Sequence, residues 1–319
     1  MQEKLGQKNI RIGTRGSQLA LAQAHETKKR LLAAHPGLSE EQIEIVVMST
    51  RGDRILDRPL AEIGGKGLFT EEIEAALLTG DIHLAVHSLK DMPTELPEGL
   101  ELAAYLERED VRDAFISAKA SSLRELPAGA VVGTASLRRQ AQTLALRPDL
   151  KVITFRGNVQ SRLRKLEAGE VDATYLAMAG LNRLDLEDER VHPLDIDELL
   201  PAVAQGAICI EIASRNERVR ALLEPLDHTP TRQRVVAERA FLNELDGSCR
   251  TPIAGLAVLD GDSLHLRGRL LGLDGSEIHE GSLEGPASDA EKIGRELGRR
   301  LKDAAGPAFF EKLKAAGGA

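Results

Sequence analysis

The sequence predicts an α/β protein of two doubly wound lobes followed by a small α+β domain with a three-stranded antiparallel sheet. Short β-rich runs alternate with helical patterns from the start of the chain, and the same alternation restarts after Asp110. The last roughly ninety residues change to alternating runs separated by Asp-Gly dipeptides, a hairpin signal. At 319 residues the chain exceeds what one hydrophobic core usually serves, so two or three domains are expected. Its 42% hydrophobic and 29% charged content is that of an ordinary globular protein.

In the first lobe strands are predicted over 10–15, 44–50, 83–88 and 101–106, with helices over 17–34 and 69–79 between them and a largely parallel sheet. The second lobe has predicted strands over 114–117, 131–133, 152–155 and 173–177, and helices over 137–146 and 158–168. Ile12-Gly13-Thr14-Arg15-Gly16-Ser17 and Val132-Gly133-Thr134-Ala135-Ser136 each run through Gly-Thr to a serine placed to cap the next helix, so the lobes read as structural relatives. A run over 208–214 follows the completed second lobe and reads as an added strand of the first sheet, which makes the first domain discontinuous. Turn residues at Asp227-His228-Thr229-Pro230 open the third domain, where a helix over 232–245 leads into a meander closed by a helix over 288–304. The expected domains are therefore 8–108 with 207–226, then 109–206, then 227–319.

Composition removes several functions. The net charge of −8, from 42 basic and 50 acidic residues, repels nucleic acid and anionic membranes. With 3% aromatics and no Trp, the chain also lacks stacking platforms for single strands, so no nucleic-acid partner is expected. No stretch reaches the roughly 18 apolar residues of a membrane span, and residues 1–6 lack the apolar core of a signal peptide, which predicts a cytoplasmic protein with no membrane partner. The two cysteines, Cys209 and Cys249, argue against a disulfide framework, and with scattered histidines they show no metal-ligand spacing, so no metal is expected.

The chemistry concentrates in a few segments. From Thr134 to Lys165 there are eight basic residues (Arg138, Arg139, Arg147, Lys151, Arg156, Arg162, Arg164, Lys165) against one acid, Asp149. A run of this kind is often only a solvated helix face. Arg138 and Arg139, however, fall in the first turn of a helix, where cations oppose the helix dipole and a bound anion would remove the conflict. Arg156-Gly157-Asn158 repeats the construction, with Arg162 one turn later. Ligands of open α/β sheets sit beyond the carboxyl ends of the strands, so these arginines should face one crevice and pair with carboxylate or phosphate. The residues do not choose between those anions, but Gly64-Gly65-Lys66-Gly67 is too short for a phosphate loop.

His87 reads as a core histidine. Asp91, at the end of Ala85-Val86-His87-Ser88-Leu89-Lys90-Asp91, is either a turn residue or a carboxylate that stabilises a cation. Cys249, beside Arg250 in a turn-like stretch, is a candidate nucleophile or covalent anchor, whereas Cys209 between two isoleucines reads as core.

Taken in order, Arg11–Ser17, Thr50-Arg51-Gly52-Asp53, Gly64-Gly65-Lys66-Gly67-Leu68-Phe69, Ala85–Asp91, Ser136-Leu137-Arg138-Arg139-Gln140, Arg156-Gly157-Asn158, Leu200-Pro201-Ala202-Val203 and the Cys249 loop resemble the signature motifs of the porphobilinogen deaminase family over nearly the whole chain. The resemblance implies two lobes like type II periplasmic binding proteins, with a cysteine of the third domain reaching the cleft between them. It implies head-to-tail condensation of four molecules of porphobilinogen with loss of ammonia, on a dipyrromethane cofactor joined to Cys249 by a thioether, followed by hydrolytic release of hydroxymethylbilane. Asp91 would be the catalytic carboxylate. Arg15, Ser17, Gln23, Lys66, Ser88, Lys90, Thr134, Ser136, Arg138, Arg139, Arg156, Arg162 and Arg183 would bind cofactor and substrate, and the protein would be a monomer. The family pattern often has Gly-Gly-Cys and Val-Gly-Gln-Gly where this chain has Gly247-Ser248-Cys249 and Val203-Ala204-Gln205-Gly206, changes that bear on loop stiffness rather than on reaction type. The rival reading, a non-enzymatic two-lobed receptor for carboxylate anions, has no use for Cys249.

Overall fold

A computed structural model of the chain describes residues 9–54, 70–245 and 251–315. The described residues divide into two compact units, one within 9–54, 70–108 and 207–232, the other within 109–206 and 233–315.

The first unit is built on a five-stranded sheet. Its strands are β1 (Ile10–Arg15), β2 (Ile43–Met48), β3 (Leu84–Ser88), β4 (Leu100–Tyr105) and, arriving late in the chain, β10 (Ile208–Ala213), in the order β2-β1-β3-β10-β4. β1 pairs in parallel with β2 and β3, while β10 runs antiparallel to both β3 and β4, so one strand of five is reversed. Successive side chains of a strand face opposite sides of a sheet. Along β3, Leu84 and Val86 accordingly join one cluster with Ile12, Leu31 and Ile210, and Ala85 joins another with Ile73, Leu77 and Leu100. The helix Gln18–Ala34 supplies Leu31 and the helix Glu71–Thr79 supplies Ile73 and Leu77, so the sheet is covered on both faces.

The second unit repeats the plan with β5 (Asp113–Ile116), β6 (Val131–Gly133), β7 (Lys151–Ile153), β8 (Ala173–Ala177) and β9 (Val191–Pro193), in the order β7-β6-β8-β5-β9. β6 is parallel to β7 and β8, and β5 runs antiparallel to β8 and β9, which leaves β5 as the reversed strand. Alternation again divides the core: Phe115 and Tyr175 pack on one face, Ala114, Ile116 and Leu176 on the other.

The same unit contains an antiparallel meander of β11 (Ile253–Asp260), β12 (Ser263–Leu271) and β13 (Ile278–Pro286). Leu264, Leu266 and Leu270 alternate inward along β12, and Gly268 completes that face because a Cβ there would stand 2.5 Å from the ring of Phe241. Glu238, fully buried in the helix Thr229–Glu244, accepts from the Ala204 N–H at 2.6 Å and the Ala257 N–H at 2.8 Å, tying the segment before β10 to the meander. Ala204 itself has a left-handed backbone, φ 60°, and Gly206 follows at φ 86°.

Several predicted boundaries move. The helix expected over 232–245 starts at Thr229 because Pro230 is accommodated in a first turn, where its missing N–H has no partner to lose. The last helix, expected over 288–304, runs Ala290–Ala315 with a break at Gly306 (φ 69°) just before Pro307. β9 and the helices Met178–Arg183 and Glu217–Leu223 were not anticipated.

Candidate active site

In the first unit, parallel pairing of β1 with β3 puts the carboxyl ends of both strands at one sheet edge. Arg15, Ser17, Ser88, Lys90 and Asp91 follow those ends. Ser17 caps the helix Gln18–Ala34, accepting from the Ala20 N–H at 3.2 Å. From within that helix the buried Gln23 donates through Nε2 to Ser88 Oγ at 2.8 Å. β3 then enters a single 3₁₀ turn, Leu89–Asp91, held by the Leu89 N–H on the Ala207 carbonyl and the Met92 N–H on the Leu89 carbonyl. Asp91 is exposed at its end, and among the described residues no hydrogen bond or ion pair engages the carboxylate, so it is neither cap nor turn ligand. His87 is buried as a core histidine, its Nε2 3.1 Å from Glu211 Oε2 on β10.

In the second unit the carboxyl ends of β6, β7 and β8 also share an edge, from which Thr134, Arg156 and the helix Met178–Arg183 depart. The echo of the first unit extends to capping: Ser136 Oγ accepts from the Arg139 N–H at 3.4 Å, and Thr134 Oγ1 accepts from the Ser136 N–H at 3.1 Å. Because β5 is reversed, its amino end lies at this same edge, with Asp113 opposite Ala177. That fully buried carboxylate accepts from Arg139 Nε at 3.1 Å and Nη2 at 2.6 Å and from Gln205 Nε2 at 3.1 Å, and it forms an ion pair with Arg138 Nη1 at 2.8 Å. Arg138 Nη1 also donates to the Leu200 carbonyl at 2.8 Å, and the Tyr175 carbonyl accepts from Arg139 Nη1 at 3.0 Å and Arg162 Nη1 at 3.4 Å.

Two guanidinium groups, Arg138 and Arg139, thus meet one carboxylate at the helix start where a bound anion was expected to remove the conflict. The protein supplies part of that anion itself. Burial alone would raise the Asp113 carboxyl, but the charges of Arg138 and Arg139 outweigh it and hold it well below the usual carboxylate range. Burial lowers Arg162 to about 10, with Arg139 as a like charge adding to the effect. The Nε atoms of Arg138 and Arg162 are buried with no hydrogen-bond partner among the described residues. Arg183 donates through Nη2 to the Gly206 carbonyl at 3.1 Å, and Arg156 stands half-buried beyond β7. Lys66 and Cys249 lie outside the described residues.

Sequence reasoning missed Asp113. Its one signal was an acid opening an otherwise apolar run, Asp113-Ala114-Phe115-Ile116, and the significance of that signal depends on the direction of the strand.

The family model described as "Porphobilinogen deaminase, dipyromethane cofactor binding domain" matches residues 10–221, and "Porphobilinogen deaminase, C-terminal domain" matches 232–303. The chain belongs to the porphobilinogen deaminase family. It is 58% identical to the porphobilinogen deaminase of Paracoccus denitrificans over 305 residues, covering 96% of this chain and 97% of that protein. The chloroplastic porphobilinogen deaminase of Oryza sativa subsp. japonica is 57% identical over 309 residues, covering 96% and 86%. Similar solved structures include a nutrient binding protein from Burkholderia cenocepacia bound to methionine (TM-score 0.43, 15% identity, 67% of this chain and 90% of that one) and the periplasmic aliphatic sulphonate binding protein of Escherichia coli (0.41, 14%, 75% and 71%).

As a porphobilinogen deaminase the protein is a transferase that joins four porphobilinogen molecules head to tail on a dipyrromethane cofactor. Cofactor and substrate both carry carboxylates, and the Nε donors of Arg138 and Arg162, which have no hydrogen-bond partner among the described residues, fit such anions. Among the described residues no helix is long and apolar enough to cross a membrane.

Proposed function

We propose that Asp91 is the carboxylate that opposes the positive charge developing on porphobilinogen as ammonia leaves. The observation that carries this reading is the exposed carboxylate at the end of the turn after β3, which no hydrogen bond or ion pair engages among the described residues. A carboxylate about 4 Å from such a cation contributes roughly 4 kcal/mol at an effective dielectric of about 20, on the order of a thousandfold in rate. When bound through Cys249, dipyrromethane would supply the free pyrrole position at which the chain of substrate units begins. Arg15, Ser17, Gln23, Lys66, Ser88 and Lys90 on the first lobe, with Thr134, Ser136, Arg138, Arg139, Arg156, Arg162 and Arg183 on the second, hold acetate and propionate side chains. Support for all but Lys66, which lies outside the described residues, is the shared sheet edge in each unit, to which Gln23 is joined through Ser88, and the surplus of positive charge around Asp113.

We assign the functional domains to 8–108 with 207–226, 109–206 and 227–319, each centred on one of the three sheets. The protein acts as a cytoplasmic monomer; a content of two cysteines, of which Cys209 is buried, suits a reducing compartment.

Intact-mass measurement on wild type and Cys249→Ser tests the attachment. Wild type should carry the cofactor mass, Cys209→Ser should retain it and Cys249→Ser should lack it. Cofactor on the Cys249 variant would overturn the assignment. For Asp91, single-turnover elongation by cofactor-loaded protein should be blocked in Asp91→Asn with substrate binding largely kept, and partly retained in Asp91→Glu, because a loss confined to the transition state falls on kcat rather than KM.

A further inference from the structure

Asp113 is fully buried, yet it is not packed as a simple charge-balancing partner. It sits at the amino end of the reversed strand β5, which delivers a carboxylate to the sheet edge from which Ser136 caps the helix Leu137–Leu146. Its Oδ1 takes Arg139 side-on through Nε and Nη2 together, while Oδ2 takes Arg138 through Nη1 alone. Arg139 is thereby held by two nitrogens to the carboxylate and by Nη1 to the Tyr175 carbonyl. Arg138 has its Nη1 divided between Asp113 and the Leu200 carbonyl, and its Nε remains without a partner among the described residues. Gln205 Nε2 fixes Oδ1 from a further side at 3.1 Å, with a second bond to the Val111 carbonyl at 2.8 Å.

We infer that Asp113 is a positioning residue for the condensation: its carboxylate fixes the orientation of the Arg138 and Arg139 guanidinium groups, leaving Arg138 Nε as a pre-aimed donor to a ligand carboxylate. The inference rests on the proposed ligand role of those two arginines. A guanidinium is planar and its donors form a rigid fork: Arg139 is fixed through three nitrogens, and Arg138 is directed through Nη1 by two acceptors, the Asp113 carboxylate as an ion pair and the Leu200 carbonyl. Holding the group before ligand arrives removes the ordering cost from the binding step.

The test uses the full chain with Asp113→Asn, Arg138→Gln, Arg139→Gln and, as a control, Thr143→Val. Thr143 bonds the Tyr175 hydroxyl at 2.8 Å in the same core without touching a guanidinium. For each variant the fraction carrying the cofactor mass, the melting temperature, and KM and kcat for porphobilinogen on the loaded fraction are measured at a temperature where the protein is folded. Asp113→Asn is expected to raise KM about tenfold to hundredfold, the size of a lost charge-assisted hydrogen bond, with reduced cofactor loading and kcat within about threefold, because ground-state and transition-state binding suffer alike. Thr143→Val should melt earlier with KM and loading unchanged. An Asp113→Asn protein that behaves like Thr143→Val, while Arg138→Gln or Arg139→Gln raises KM, overturns the positioning role alone. Unchanged KM and loading in both arginine variants overturn the ligand reading and this inference with it. Should Asp113→Asn fail to fold, Asp113→Glu takes its place: it keeps the charge and displaces the carboxylate by one methylene. A raised KM in that variant supports the inference, and wild-type KM and loading overturn it.

Discussion

The two five-stranded sheets share an order and a pattern of directions, and each buries a carboxylate on its one reversed strand, but the partners differ. In the first sheet Glu211 of β10 meets a single histidine, His87, whose charge is optional. In the second, Asp113 of β5 meets two obligatory cations, Arg138 and Arg139, with Arg162 close behind. The same backbone plan thus yields a polar joint inside one core and a surplus of positive charge at the edge of the other. A carboxylate opposite permanent cations cannot be removed without leaving buried charge behind, whereas a histidine can lose its proton and become neutral.

The largest effect should come from breaking the charged member of the comparison. Asp113→Ala is expected to cost about 3–5 kcal/mol in urea unfolding, because it leaves two buried guanidinium groups without their counter-ion. Glu211→Ala should cost about 1–3 kcal/mol, the penalty for one unpartnered buried polar group. Equal losses would show that the two joints are of one kind. The pH dependence sharpens the same point. Asp113 titrates lower in the folded protein than in the unfolded chain, so its contribution is complete above the ordinary carboxyl range near pH ~4 and is lost as the pH falls below it. Unfolding followed from pH 5 to pH 2 should therefore show a shallower acid decline in Asp113→Asn than in wild type.

The two reversed strands also differ in how the chain enters them, and here the expected effects are smaller. β10 is reached through the left-handed residues Ala204 and Gly206. A Cβ on Gly206 would stand 2.5 Å from the Glu109 carbonyl oxygen, so Gly206→Ala should cost at least about 2 kcal/mol through strain and clash combined. Ala204→Gly should instead raise stability by about 0.5 kcal/mol, the relief of left-handed strain slightly exceeding the entropy that glycine adds to the unfolded chain. Thermal melts of the two variants against wild type read both signs.

Strand positions in both lobes were legible because period-2 burial and Gly-Thr-to-Ser turns repeat, and the strand at Ala173–Ala177 and the helix at Leu137–Leu146 appear with their predicted limits. β9 was not, since Val191-His192-Pro193 is three residues ending in a proline that only an edge strand tolerates. The helix Met178–Arg183 was hidden by a Gly and an Asn that favour loops. At the site, the cation-rich segment could be read from charge and cap position alone. Its internal counter-ion could not, because Asp113 reaches Arg139 across 26 positions of sequence and only through the reversal of one strand.

The buried carboxylate of Glu238 has a consequence for how this chain can change by mutation. It holds the Ala204 N–H while that residue keeps a backbone that side chains disfavour, so the tolerance of alanine at 204 is conditional on the glutamate at 238. The pair is epistatic, and the order of substitution matters. With glycine at 204, loss of Glu238 removes its side-chain interactions, the hydrogen bonds to the N–H groups of residues 204 and 257 among them. With alanine already in place, the same loss also frees a strained residue to relax and shift the entry to β10. Alanine at 204 therefore narrows what residue 238 can become, and a return to glycine at 204 lifts that limit.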